Sequence, residues 1–276
     1  MTDNAPILIA EGVRFAYPGG SEVLTGVDLQ ARQGELLCIL GPNGSGKTTL
    51  LKCLLAGLRP RTGSIIVAGR DVSRYGAMAL ARIVSYVPQT ARPTFAFTAG
   101  QIVMMGRTPH MGRLGLPGEL DHRVVAAAME MTATTPFADR MLENLSGGEQ
   151  QTVMIARALA QQGRIMLLDE PTSHLDVGHQ LAIYGLMAKL AHEWNMAVVC
   201  VSHDLNLAAR YCDRLVAMAD GRVCAEGAPA EVLTEERVSE LYGCAVRIET
   251  SPGGRPNVTP LSAALDAPRR SAGDAP

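Results

Sequence analysis

Gly41-Pro42-Asn43-Gly44-Ser45-Gly46-Lys47-Thr48-Thr49 is the stretch that decides how this chain of 276 residues is read. Just before it, Leu36-Leu37-Cys38-Ile39-Leu40 is a short apolar run of the kind that makes a buried strand. Just after it, residues 48–55 carry apolar side chains at a helical period. Strand, glycine-rich loop and helix in that order are the context a phosphate cradle needs. Gly41, Gly44 and Gly46 let the backbone curl with its N–H groups pointing inward, where a Cβ would obstruct the turn. The helix that follows adds its N-terminal partial charge. Lys47 is placed to reach terminal phosphates, and the Thr48 hydroxyl to ligate Mg²⁺. A ligand-free turn would explain neither the Lys-Thr pair nor the flanks, so the pattern predicts a nucleoside triphosphate site.

Bulk properties narrow the rest. A formal charge of −2 gives no global attraction to nucleic acid or anionic lipid. Aromatic residues are scarce and no basic stripe is interleaved with them, which argues against a nucleic-acid platform. The six cysteines (Cys38, Cys53, Cys200, Cys212, Cys224, Cys244) contain no C-x-x-C pair, and several sit in apolar runs. They read as buried thiols in a reducing compartment. Residues 1–6 show no signal-peptide pattern, and no apolar run approaches the roughly 20 residues that span a bilayer. The chain is expected to be soluble by itself, with a membrane partner left open.

An α/β organisation follows along the chain. Residues 7–17 and 23–31 alternate apolar and polar positions around Pro18-Gly19-Gly20, predicting an antiparallel β portion. Strands are expected at 64–69 and 83–88. From about 98 to 140 strand signals vanish and Ala, Met and Leu dominate, predicting a helical insertion broken by the Pro/Gly-rich stretch 108–118. A strand at 165–168, a helix at about 178–194 and a strand at 197–201 resume the pattern. Ala219-Asp220-Gly221 between two apolar runs signals a hairpin. Residues 251–276, rich in Pro, Gly, Ala and Ser, read as a disordered tail.

Chemistry in such a sheet gathers at the carboxyl ends of the strands. The run ending in Asp169-Glu170 supplies two acids there: Asp169 suits Mg²⁺, directly or through water. Glu170 would face the terminal phosphate and orient or deprotonate an attacking water. His203, ending the next strand, is a candidate to hydrogen-bond that phosphate, and Gln89, after strand 83–88, to reach the metal or the water. Leu145-Ser146-Gly147-Gly148-Glu149-Gln150 is a second strong signal. Ser146 is a plausible helix N-cap with Glu149 as capping-box partner, yet capping gives no reason for two glycines. Glycines at a helix mouth admit a phosphate to the backbone amides, which predicts a second anion site. Two phosphate-facing helix ends in one chain are reconciled if two copies pair head to tail, each supplying half of each site.

Together these residues resemble the ATP-binding subunit of an ABC transporter over roughly residues 7–249. Gly41 to Thr49, Gln89, Leu145 to Gln150, Asp169-Glu170, Ser173-His174-Leu175-Asp176 and His203 occur in that family's order. The resemblance implies a P-loop ABC ATPase fold. It has a mixed central sheet, an antiparallel β subdomain and a helical subdomain inserted at about 98–162, followed by a tail at 250–276. It implies ATP bound with Mg²⁺ held by Thr48, Gln89 and Asp169, Tyr17 stacked on adenine, and Ser146, Gly147, Gly148 and Gln150 reaching ATP across the dimer. Asp176 would lie at the dimer seam, and Glu170, His203 and Gln89 would be catalytic.

The implied partners are a second copy, integral-membrane permease subunits and, indirectly, an external substrate-binding protein, with no nucleic acid. The implied location is the cytoplasmic face of the cell membrane. Residues 171–180 and Gly106-Arg107-Thr108-Pro109-His110 resemble the branch that energises uptake of iron chelates, haem and vitamin B12. The rival is a soluble ATPase of the same family acting in cofactor assembly. Two departures stand out: Gln150-Gln151-Thr152 where many relatives carry an arginine, and too little chain after Thr250 for a regulatory β domain.

Overall fold

The apolar run before the glycine-rich loop is strand β3 in the computed structural model, which describes residues 5–89, 96–112 and 115–263. In chain order the strands are β1 (Pro6–Ala16), β2 (Glu22–Arg32), β3 (Glu35–Leu40), β4 (Thr62–Val67), β5 (Arg70–Asp71) and β6 (Val84–Val87). The second half adds β7 (Ile165–Asp169), β8 (Ala197–Val201), β9 (Arg214–Ala219), β10 (Arg222–Gly227), β11 (Cys244–Thr250) and β12 (Pro256–Ala263).

The first sheet has the order β2-β1-β4-β5 and is antiparallel, as the alternation of residues 7–31 predicts. The second has the order β10-β9-β3-β8-β7-β6. Its strands β9, β3, β8, β7 and β6 run parallel, and β10 returns antiparallel through the expected Asp220-Gly221 turn. Every residue of β7 and β8 is buried. This is why both read as unbroken apolar runs rather than alternations: a parallel strand covered on both faces has no polar side.

Alternate side chains of β3 enter different cores. Leu37 and Ile39 pack with the antiparallel sheet and helix α1 (Lys47–Leu54), while Leu36, Cys38 and Leu40 pack under the other helices. Those helices are α3 (Ala99–Met105), α4 (Glu119–Met131), α5 (Gly147–Ala160), α6 (Val177–His192), α7 (Leu205–Tyr211), α8 (Pro229–Val232) and α9 (Glu235–Tyr242), whereas the short α2 (Ala77–Ala81) buries Leu80 in the core of Leu37 and Ile39. None is long and apolar enough to cross a membrane.

The expected helical insertion is α3, α4 and α5. Its α3 is opened by Thr98, whose hydroxyl accepts from Gln101 N–H in a capping box. The stretch 108–118 separates α3 from α4. Arg107, 2 % exposed, holds the lobe together. Its Nε donates to Asp121 Oδ1 (2.9 Å), and its Nη1 to the Ala160 carbonyl (2.7 Å) and to Gln162 Oε1 (2.8 Å). The arginine read as a subfamily mark is thus a buried strut.

The tail reading needs correction. Residues 256–263 form β12, paired antiparallel with β11 from Thr250↔Pro256 to Cys244↔Ala263. Val258 is buried, and its backbone is clamped by Asn206 on α7: Val258 N–H donates to Asn206 Oδ1 (2.7 Å) and Asn206 Nδ2 to Val258 O (3.1 Å). Two prolines hid this strand, but in a two-stranded ribbon both strands are edges, where a missing N–H is tolerated. Residues 264–276 lie outside the described residues.

Candidate nucleotide site

The loop leaves β3 through Gly41, whose φ is +151°. A Cβ there would lie 2.2 Å from the Met218 carbonyl oxygen, so the tight passage admits glycine alone. The loop ends at Gly46, which precedes α1 without any side-chain cap. No side chain among the described residues caps α1, which is the arrangement that receives an anion. Ser45 and Lys47 are both buried within the curl. Lys47 Nζ donates to the carbonyls of Gly41 and Pro42, each at 2.8 Å. Burial lowers the pKa of this ammonium, while Glu170 and Asp169 oppose the shift. Asn43, Gly44, Gly46, Lys47, Thr48, Thr49, Val23 and Glu170 line a cavity of 180 Å³.

Three neighbouring strands deliver the remaining groups from their C-terminal ends. Asp169 closes β7 and is 3 % exposed. Its Oδ1 accepts from the Thr48 hydroxyl at 3.1 Å and its Oδ2 from the Tyr86 hydroxyl at 3.4 Å. Burial raises its pKa, the Thr48 hydrogen bond opposes this, and the neighbouring Glu170 charge adds to the rise. Glu170 has a left-handed backbone, φ +49°, an unusual conformation for a residue with a Cβ. Its Oε2 accepts from Gln89 Nε2, beyond β6, at 2.7 Å, and its Oε1 meets His203 Nε2, beyond β8. Gln89, Glu170 and His203 therefore form one hydrogen-bonded row across the mouth of the sheet. Tyr17 stands at the end of β1, its hydroxyl 3.5 Å from Thr49 Oγ1 and its ring edge-on to Phe15 at 5.0 Å. It is 41 % exposed, so part of the residue is open to solvent beside the loop.

The donor set suits Mg²⁺. The Thr48 hydroxyl and Asp169 carboxylate are hard oxygens side by side, and this small cation takes one or two protein oxygens together with substrate phosphates.

Ser146, Gly147, Gly148 and Gln150 do not join this cluster, and none of them lines the 180 Å³ cavity. Ser146 caps α5: its hydroxyl accepts from Glu149 N–H (3.3 Å), and Ser146 N–H donates to Glu149 Oε2 (2.7 Å). Gln150 Nε2 donates back to the Leu145 carbonyl (2.9 Å). The two glycines differ. A Cβ on Gly147 would meet only ordinary contact with Leu175 at 3.6 Å, whereas on Gly148 it would lie 2.1 Å from His179 Cδ2. Gly148 thus has a reason within its own chain: an imidazole lies over it. That ring is fixed by Asp176, the N-cap of α6, which accepts from His179 N–H (2.9 Å) and pairs with His179 Nδ1 (2.7 Å). Thr152 turns its hydroxyl back onto the Gly148 carbonyl (2.8 Å).

Sequence reasoning overlooked Tyr86 and the seat of His179. An inward tyrosine one strand away from Asp169 and the D-x-x-H spacing of a capping pair were the available signals.

The family described as ABC transporter matches residues 24–173. A cobalamin import ATP-binding protein of Halobacterium salinarum is 45% identical over 252 residues, covering 90% of this chain; the chain spans 63% of that relative's length. A hemin import ATP-binding protein of Gloeobacter violaceus is 41% identical over 261 residues, covering 92% of this chain and 93% of the relative. Among solved structures, an inward-facing metal-chelate type ABC transporter superposes with a TM-score of 0.82 at 29% identity, covering 95% of this chain and 100% of that one.

Proposed function

This chain belongs to the ABC transporter ATP-binding family, and from that premise we propose that it is the ATP-hydrolysing subunit of an importer for iron-chelate, haem or cobalamin-type cargo. The observation that carries the reading is the row Gln89–Glu170–His203 set across the mouth of the phosphate loop, with Leu145 to Gln150 absent from that cavity. A single copy holds a water-activating carboxylate beside a phosphate cradle and lacks the donors for its far side. A second copy, turned head to tail, supplies them. The import direction and the cargo class rest on the relatives, which are named as cobalamin and hemin import ATP-binding proteins.

ATP docks with its phosphates on the amides of 41–49 and its base against the exposed part of Tyr17. Lys47 turns from the Gly41 and Pro42 carbonyls to the terminal phosphates. Thr48, Asp169 and Gln89 would hold Mg²⁺ brought in with the nucleotide, which would supply positive charge against the phosphates. Closure brings Ser146, Gly147 and the α5 amides of the second copy onto the γ-phosphate. Moving such an equilibrium from nearly all open to nearly all closed takes about 5.5 kcal/mol of differential affinity. Charge-assisted hydrogen bonds at a desolvated phosphate, about 2 kcal/mol each, reach that sum from a few donors. Glu170 accepts the proton of the attacking water, His203 donates to the departing phosphate, and loss of the bridge lets the copies part. The chain works at the cytoplasmic face of the membrane, docked on permease subunits.

Glu170→Gln keeps the side chain's size and an acceptor for Gln89 but removes the base. Light scattering should show this variant as a stable dimer in Mg-ATP, with turnover reduced at least ~100-fold. Wild-type turnover by the variant would sink the assignment. Co-purification with a polytopic protein from detergent-solubilised membranes, and uptake of ferric chelates, haem and cobalamin in a deletion strain, separate an importer from a free-standing ATPase.

A further inference from the structure

Three of the six cysteines converge. Cys38 on β3 and Cys200 on β8 are direct partners in the parallel ladder, and Cys212 closes α7 above them. All three are 0 % exposed, and their Sγ atoms lie within 4.8 Å of one another. No histidine or carboxylate among the described residues completes the group. Ala208, Ala209 and Ala217 share its core, with Tyr184 near all three thiols and Asp213 next to Cys212. Neither the ATPase cycle nor the fold requires three thiols here, since Ala or Val fills such positions in a core as well.

We propose that Cys38, Cys200 and Cys212 form a buried three-coordinate site for a soft monovalent cation, copper(I). Donor type, number and charge point the same way. Thiolates select soft ions over Mg²⁺, Ca²⁺ or Mn²⁺. Sulfur ligands at a bond length of about 2.3 Å, spread evenly in a plane around one ion, stand about 4 Å apart, inside the 4.8 Å that bounds the separations here. Zinc sites take four ligands, the fourth being water where the protein supplies three, and this pocket admits no water to the sulfurs. Charge decides the rest. A monovalent ion reaches a neutral complex by displacing one thiol proton, whereas a divalent ion must displace two, and an uncompensated charge in an apolar core is strongly disfavoured. In the binding step one S–H bond is replaced by one Cu–S bond and the proton leaves to solvent. The other two sulfurs donate lone pairs, copper stays +1, and no electron is transferred. The ion reaches the site by local opening of α7, a covering helix of seven residues.

The site lies three residues before Gly41 along β3 and three before His203 along β8, and it is separate from the nucleotide ligands. The test uses the full-length, fully reduced protein under anaerobic conditions, titrated with copper(I) against a colorimetric copper(I) chelator. One equivalent should be retained, with thiolate-to-copper absorption in the ultraviolet and a three-sulfur shell by X-ray absorption. Cys200→Ala should weaken retention at least ~100-fold, beyond what loss of an outer-shell partner costs. Cys224→Ser, at an exposed thiol, should leave it unchanged. Circular dichroism and ATP binding report whether Cys200→Ala is folded, and Cys212→Ala offers a second removal if it is not. Three results would each overturn the proposal: no copper retained by the folded protein, retention that survives both removals, or loss of thiol titre without bound metal, which signals oxidation instead.

Discussion

Asp169 carries the sharpest conflict between stability and use. Burial raises its pKa above the ordinary carboxylate value, so the protonated acid is favoured by the fold. For an acid with a raised native pKa, the group's stabilisation is fullest below the unfolded pKa and is lost as pH rises through the native one. At neutral pH the ionised carboxylate therefore destabilises the nucleotide-free protein. Asp169→Asn should raise the melting temperature by about 2–4 °C at pH 7, as scanning calorimetry reads it, with the gain shrinking toward pH 4. ATP turnover should fall at least ~100-fold. Gly148 offers a second test at this scale. Gly148→Ala drives a Cβ into the His179 ring and breaks the ring's bond to Asp176. Turnover should drop at least ~10-fold while nucleotide binding by the single copy is kept, and adding His179→Ala should restore part of the loss. Equal activity of the single and double variants would show that the glycine serves only the nucleotide. Asp169, Glu170, Gln89 and His203 were legible in sequence because each ends a recognisable apolar strand. The overlay of His179 on Gly148 and the meeting of Cys38, Cys200 and Cys212 were not, since both need the register of elements far apart in the chain.

Among the elements, the helical lobe depends on one side chain. Arg107 joins the end of α3, the start of α4 and the end of α5, and its guanidinium is almost wholly enclosed. Arg107→Ala strands the Ala160 carbonyl without its donor and opens a cavity, which together should cost about 2–4 kcal/mol. Hydrogen exchange should localise the damage to 99–160, with β3 and β8 still protected. Uniform deprotection would show that the lobe is not a separate cooperative unit. The lobe's existence was readable from composition, because Ala, Met and Leu without β-branched runs favour helix. Strand β12 was not, because Pro256 and Pro260 suppress the strand signal while Asn206, fifty residues earlier, supplies the backbone partners that hold it. Tertiary pairing overrode local preference there.

For the molecule as a whole, the proposed division of the site between two copies makes a quantitative expectation. A Lys47→Ala copy lacks the cradle and a Ser146→Arg copy lacks the far wall, so neither alone should hydrolyse ATP. In a mixed dimer one of the two sites draws its cradle and its far wall from the intact halves. Random pairing of an equal mixture should thus restore about a quarter of wild-type turnover. A steady-state assay of the mixture that stays at baseline would mean that the two halves belong to the same copy.

Lys47 bears on how such a molecule resumes work. With its ammonium resting on the carbonyls of Gly41 and Pro42, the loop keeps its winding through the interval after products leave. The next nucleotide meets a finished mould, and the lysine merely exchanges neutral acceptors for charged ones. In the proposed two-copy cycle, the pause between strokes is then governed by how subunits separate and rejoin rather than by rebuilding the cradle.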